Sequence, residues 1–283
     1  MAAPGTAGRE QQPMNPNNQG PKIPAPTTAK KPGNYRWLSA LTMALIIGVW
    51  LVVSQMKVVN PLFLPGPEHI WQAFLNLLPN LPSDVFDSLF RRIIPGFLLG
   101  AALGTLLGVV MAISRVGQAI INPIVEILRP LPPLALIPLL ILWMGIGYMT
   151  QVLLIAFGAF IIMVVASYEA VRNVPPIYVH AATTLGANRR QIFWRVIIPA
   201  IIPDIFSGVR VAAAASFGYA VAAELMGAMS GVGYRLVLAR RYLLTQNIII
   251  ILIVIALLSF GIDFLFRKGN DRVTAWKSRI EQK

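Results

Sequence analysis

Six apolar segments, each close to the roughly 20 residues that a helix needs to cross a bilayer, constrain this chain more than any other feature. Lipid offers no hydrogen bonds to the backbone, so segments of this kind fold as helices. Of the 283 residues, 56% are hydrophobic and only 12% are charged, which is about half the charged fraction of a typical soluble domain. The sequence therefore predicts an all-α polytopic membrane protein. The predicted spans are residues 37–55, 93–113, 123–143, 151–167, 198–225 and 248–266.

The positions of the basic residues predict how the spans are oriented. Cytoplasmic termini would place sixteen of the 24 Lys and Arg residues in cytoplasmic segments, as the positive-inside rule requires. This topology also explains the net charge of +13 without a nucleic-acid partner. Two outer groups, Arg91–Arg92 and Arg235–Arg241, depart from the rule and are candidates for attracting an anion or a protein partner.

The chain is predicted to have three parts. Residues 1–35 are rich in Pro, Gln, Asn and Gly and lack an apolar period, so we expect a disordered cytoplasmic tail. Residues 36–266 form the transmembrane domain, and residues 267–283 form a basic cytoplasmic tail. Within the domain, residues 68–78 are expected to form a short amphipathic helix, either at the outer interface or packed on the spans. Its predicted apolar face consists of Ile70, Trp71, Phe74, Leu75 and Leu78.

The second predicted span has one glycine per helical turn. Small residues at this spacing let two helices approach closely in lipid. The partner is either another helix of the same chain, which we favour, or a second copy. The glycines are Gly96, Gly100, Gly104 and Gly108.

The third predicted span contains a proline cluster that a regular helix cannot accommodate. Pro130, Pro132 and Pro133 each lack an amide donor, and their rings clash with the preceding turn. Such a break is tolerated at membrane depth where protein or a water-filled cavity surrounds it. Glu126 and Arg129 lie one turn apart just before the break and can pair. They indicate either a functional site or a structural ion pair near the interface.

The fifth predicted span also carries charged side chains. Asp204 and Arg210 are six residues apart, which is poor spacing for a pair on one helix face, so each is expected to meet another helix. Glu224 lies towards the outer end of the same span.

Residues 180–199 form the one long polar, basic segment within the apolar chain. The segment carries Arg189, Arg190 and Arg195 and no acidic residue. Gly186 suits a helix C-cap, where a left-handed residue turns the chain. Pro199 is predicted to begin the next membrane helix. The segment therefore predicts a helix–Gly–helix hook that a soluble partner could hold.

This hook resembles the signature loop of ABC-importer permeases, whose pattern is E-A-A, three residues, Gly, nine residues and then I-x-L-P. Here the loop reads His180-Ala181-Ala182, three residues, Gly186, nine residues and then 196–199, with His180 in place of the acid. Other stretches resemble the taurine, alkanesulfonate, nitrate and bicarbonate branch of these permeases. They are residues 60–67, 122–147, the loop extended to 211, and 222–234.

The resemblance implies a type I ABC importer permease in the bacterial inner membrane, with a coupling loop at residues 172–199. It implies two ATPase subunits, a second permease copy and a periplasmic or lipid-anchored substrate-binding protein as partners. The expected solute is a small anion, most simply taurine or an alkanesulfonate, with nitrate, nitrite or bicarbonate as alternatives. The expected ATPase-coupling residues are His180, Ala181, Ala182, Gly186, Arg189, Arg190, Arg195 and Pro199. The candidates for the translocation path are Glu126, Arg129, Pro130, Pro132, Pro133, Arg210 and Glu224.

Motifs for covalent chemistry or nucleotide hydrolysis are missing from the sequence. It has no phosphate-binding loop and no G-x-S-x-G motif. It has no cysteine and only two widely separated histidines, which disfavours a metal site. We therefore predict a permease that is not an enzyme and binds no cofactor, with ATP and Mg²⁺ held by the partner ATPase. A membrane scaffold that transports nothing is a remote alternative.

Overall fold

The structure is a computed structural model that describes residues 36–56 and 58–274. Every regular element in these ranges is helical. The predicted tail at residues 1–35 and the end of the basic tail, residues 275–283, lie outside the described residues. The chain divides into two compact units, Met1–Trp50 and Leu51–Lys283. The second unit contains the helices that concern the function.

The helices follow one another with short connections. In chain order they are α1 Arg36–Gln55, α2 Pro67–Leu77, α3 Leu81–Phe86, α4 Ile94–Ile113, α5 Arg115–Leu128, α6 Ile137–Met144, α7 Tyr148–Arg172, α8 Pro176–Thr184, α9 Arg189–Ile192, α10 Ile198–Gly227, α11 Val232–Arg241 and α12 Thr245–Thr274.

Four continuous helices of the described residues are long and apolar enough to cross a membrane. They are Leu81–Ile113, Tyr148–Arg172, Arg189–Gly227 and Thr245–Gly269. Helices α5 and α6 form a fifth candidate that is bent by 84° at the proline cluster, and the apolar part of α1, Ala40–Gln55, is shorter. Four of the six predicted spans are thus continuous helices, the third is broken where the prolines predict it, and the first is a shorter apolar helix.

Two π-helical segments, Asp87–Ile93 and Phe193–Ile197, join neighbouring helices into continuous spans. Each segment is followed two residues later by a proline, Pro95 or Pro199. A proline ring clashes with the carbonyl four residues earlier, and the wider π turn relieves this clash. Helix α10 begins at Ile198 with Pro199 in its first turn, as predicted, and the π segment continues the span back to Arg189.

The most extensive helix pair joins α4 to α7, and the glycines of α4 make it possible. A Cβ atom on Gly96 would lie 2.7 Å from the carbonyl oxygen of Val152, and one on Gly104 would lie 2.6 Å from that of Phe160. Gly100 and Gly108 face the α7 backbone in the same way. The prediction of packing within the chain is confirmed. Helix α10 covers another side of α7, where Met163 is fully buried with Ala212.

Helix α2 packs on α11 and α12, which confirms the second of the two predicted alternatives. Ala73 and Leu77 are buried in this contact, and Ile70 and Phe74 of the predicted face lie against it. The packed face thus overlaps the predicted one in part. The remaining predicted members, Trp71, Leu75 and Leu78, are exposed.

The connection between the fifth and sixth predicted spans contains a helix, α11. Val232 and Ala239 of this helix are buried against α2 and α12. These tertiary contacts hold the segment as a helix although it begins with a glycine-rich stretch.

Candidate coupling loop and translocation path

The hook between α8 and α9 turns at Gly186. Gly186 has a φ of +79°, a left-handed conformation that glycine adopts without strain. The amide of Gly186 donates to the carbonyl of Thr183 at 2.9 Å, and the amide of Ala187 donates to that of Ala182 at 3.0 Å. These two bonds form a Schellman motif, which ends α8 without unpaired carbonyls.

A capping box starts the second half of the hook. The Asn188 side chain accepts from the amide of Gln191 at 2.9 Å, and the Gln191 side chain accepts from the amide of Asn188 at 2.9 Å. These reciprocal bonds satisfy two amides at the start of α9. The predicted helix–Gly–helix hook is confirmed, and it is encoded by residues 182–191 alone.

The surface of the hook combines apolar and cationic side chains. Leu185 at the turn is 87% exposed, and Ile177 and Tyr178 of α8 are also exposed. Arg189, Arg190 and Arg195 form no ion pair with any residue that the structure describes. Large apolar side chains in water beside unpaired cations are typical of a surface that contacts another protein. Of the predicted coupling residues, Ala182 is half-buried and the other seven, His180, Ala181, Gly186, Arg189, Arg190, Arg195 and Pro199, are exposed.

The chain breaks after α5 as the prolines predict. Pro132 has extended backbone, and a short 3₁₀ helix, Pro133–Leu136, leads into α6. The pairing that the spacing of Glu126 and Arg129 allows does not form, since no ion pair joins these two described residues. Glu126 instead accepts a hydrogen bond from the Asn122 side chain at 2.7 Å. Asn122 lies four residues before Glu126, one helical turn away, whereas Arg129 occupies the C-cap position of α5.

Arg210 meets another helix, as predicted. Its Nε and Nη2 atoms donate to the two carboxylate oxygens of Asp263 on α12 at 2.7 and 3.0 Å. Both side chains are about one-third exposed. Sequence reasoning missed Asp263, although it is the only acidic residue of the last predicted span.

Glu224 lies in a closed core where three helix ends meet, and only 1% of it is exposed. Arg92 Nη1 donates to Oε1 at 3.0 Å, Ser88 donates to the same oxygen at 2.6 Å, and the amide of Gly233 donates to Oε2 at 2.7 Å. In this conformation Glu224 joins the ends of three helical segments and lies enclosed between them.

A second carboxylate extends this buried network. Asp84 accepts from Nε of Arg235 at 2.5 Å and from the amide of Gly231 at 3.3 Å. The Arg92 side chain is only 2% exposed, so Arg92 and Arg235 are neutralised within the fold. Arg92 and Arg235 therefore offer no free positive charge. Arg91, Arg240 and Arg241 of the same two groups are exposed, and for these the expected anion or protein partner stays a prediction. Sequence reasoning missed Asp84 and Ser88. Their only sequence signal is that they lie eight and four residues before Arg92, on the same side of a helix.

Comparisons with known proteins agree on one family. Residues 100–274 match the model of the binding-protein-dependent transport system inner membrane component. The taurine transport system permease protein TauC of Escherichia coli is 31% identical over 252 residues, which cover 86% of this chain and 91% of that protein. The putative aliphatic sulfonates transport permease protein SsuC of Bacillus subtilis is 33% identical over 268 residues, which cover 92% and 96%.

Solved structures show the same fold at low sequence identity. An amino acid ABC transporter crystallised with histidines matches with a TM-score of 0.63 and 16% identity, covering 71% of this chain and 97% of that one. The inward-facing MetNI methionine ABC transporter matches with a TM-score of 0.57 and 21% identity, covering 70% and 98%. The fold is therefore that of the type I ABC importer permeases. Since the family model matches more than half of the chain, the protein belongs to the binding-protein-dependent transport system inner membrane components, the permease subunits of ABC importers.

Proposed function

We propose that this permease imports a small sulfonate of the taurine or alkanesulfonate kind, driven by ATP that partner subunits hydrolyse. The similarity to the taurine and aliphatic sulfonate permeases, which extends over at least 86% of this chain, carries the proposal. Two copies of the chain enclose the path, two ATPases lie on the cytoplasmic side, and a periplasmic or lipid-anchored binding protein delivers the solute. Both termini are cytoplasmic in this arrangement.

The coupling loop, residues 172–199, is the contact with the ATPase. Its exposed apolar tip at Leu185 would fit an apolar groove on the ATPase, and its unpaired arginines would fit acidic residues around that groove. Because Gly186 and the capping box of Asn188 fix the angle of the hook, a force on its tip reaches α7 and α10 without being lost in a flexible loop. His180 lies exposed on the same hook.

The path lies along the broken span. Pro130, Pro132 and Pro133 interrupt the α-helical hydrogen bonds there, and backbone groups freed by such a break are tolerated at membrane depth where water or protein can meet them. Arg129 and the half-exposed Arg210 attract an anion, and Glu126 and Asp263 keep that attraction weak enough for release. Glu224 is enclosed with Arg92 in this conformation and does not contact the solute.

Uptake into proteoliposomes tests this function. The permease, its ATPase and its binding protein are reconstituted together, and labelled taurine uptake is followed with and without ATP. We expect ATP-dependent uptake that ethanesulfonate competes with and that nitrate and bicarbonate do not. Competition by nitrate or bicarbonate instead would assign one of those solutes, and binding of the ATPase without any uptake would indicate a scaffold.

A further inference from the structure

Helix α5 has three distinct faces, and two of them are not used in packing. Val125 is buried, and Ile121 and Leu128 on the same side are half-buried. This side is the packed face, since α5 contacts α4 and α7. The other two faces differ sharply in chemistry.

The polar face continues along the whole helix. At 3.6 residues per turn, its five members fall within about 80° of the helix circumference. They extend over about 21 Å at 1.5 Å per residue, from the end of α5 nearest the coupling loop to the proline break. Asn122 is half-buried and the other four are exposed. The members are Arg115, Gln118, Asn122, Glu126 and Arg129.

The third face is apolar and exposed. It consists of Val116, Ile120, Ile124 and Ile127, on the side of the helix away from the polar face. Charged and carboxamide groups are costly in hydrocarbon, whereas these side chains are stable there. Lipid therefore suits the isoleucine face, and the polar face needs water or protein.

The polar face is connected to the start of the coupling loop. Gln118 donates to the hydroxyl of Tyr168 at 3.0 Å, and Arg172 donates to the same oxygen at 3.2 Å. Arg172 is the last residue of α7, three residues before the hook begins at Pro175. A displacement of the hook thus reaches the polar face through two hydrogen bonds.

We propose that the polar face of α5 lines the cytoplasmic half of the translocation path, with Arg115, Gln118 and Asn122 contacting the anion after it passes Arg129. This inference rests on the proposed import of a small anion. Neither Arg115 nor Arg129 forms an ion pair with another residue in the described part of the chain. The two cations stand at the two ends of the face, with two carboxamides and the Glu126 carboxylate, which accepts a hydrogen bond from Asn122, between them. An oxyanion can exchange water for carboxamide donors on the way, and it is never held by two guanidinium groups at once.

The absence of cysteine from the sequence makes a sharp test possible. Asn122→Cys and Gln118→Cys are compared with Ile124→Cys and Ile120→Cys, which lie at matched depths on the apolar face. Each variant is assembled with its ATPase in inside-out vesicles. The rates at which each cysteine reacts with an anionic and with a cationic methanethiosulfonate are then measured. Each rate is divided by the rate at which the same reagent reacts with free glutathione.

We expect the polar-face cysteines to react at least about ten-fold faster than the apolar-face cysteines, because the reactive thiolate forms in water and not in lipid. At N122C and Q118C the anionic reagent should react faster than the cationic one, and added taurine should slow the anionic reaction at these two positions. Equal rates on the two faces, faster reaction at I124C and I120C, or no reaction at any position would overturn the inference. If the wild-type complex imports an anion while the labelling fails, only this inference falls; if it imports nothing, the proposed function falls.

Discussion

Replacing Glu224 by Gln should destabilise the protein strongly, because it leaves the Arg92 guanidinium buried without a counter-charge. Removing one partner of a buried pair typically costs about 3–5 kcal/mol. The glutamine is isosteric, so no cavity contributes. It offers only one oxygen to the three donors that Ser88, Arg92 and Gly233 present within 3.0 Å. For a domain of this size, the loss corresponds to a fall in the unfolding midpoint of roughly 6–20 °C.

Thermal unfolding of the purified permease in detergent, followed by tryptophan fluorescence, measures this shift. The double variant Glu224→Gln, Arg92→Met removes both charges and should recover most of the loss, since an apolar replacement of a buried pair is often neutral. Asp87→Asn is the surface control: it removes the partner of the exposed Arg91 and should move the midpoint by no more than about 2 °C. A midpoint of Glu224→Gln within that same range, or a double variant no better than the single one, would refute the reasoning.

Three further changes test the hook, the helix pair and the path. Gly186→Val places a β-branched residue at a φ of +79°, which costs a strain of about 1–2 kcal/mol. This variant should purify as a folded protein but show no ATP-driven uptake, and normal uptake would contradict the coupling model. Gly104→Ala puts a Cβ atom against the Phe160 carbonyl and should lower the free energy of unfolding by about 1–3 kcal/mol. In the control Gly218→Ala, the added Cβ atom has no neighbouring atom within 4 Å and should not destabilise the protein, so similar unfolding midpoints for both variants would argue against close packing of α4 on α7. Arg129→Ala should reduce anion uptake in proteoliposomes with the ATPase still bound, and Arg129→Lys should retain part of it, so a fully active alanine variant would remove this residue from the path.

The sequence by itself determined the features that depend on local chemistry. The hook at residues 182–191 carries its own stop and start signals, so no distant contact is needed to form it. The break at the proline cluster is equally local, since the missing amides and clashing rings act within one turn. The glycine spacing of α4 predicted a close helix neighbour because the period of the helix places all four glycines on one side.

Only the tertiary structure decided which polar groups meet. Glu224 and Arg92 are 132 residues apart in the chain, and Arg210 and Asp263 are 53 apart. Spacing within one helix cannot specify such partners, because the choice depends on which helix ends come together and at what depth. A charge in an apolar span needs some partner, which the sequence predicts, but the packing of α10 against α12 and against the start of α4 selects it. The same packing neutralised the outer Arg92 and left α5 with a polar face that no helix of the described chain covers.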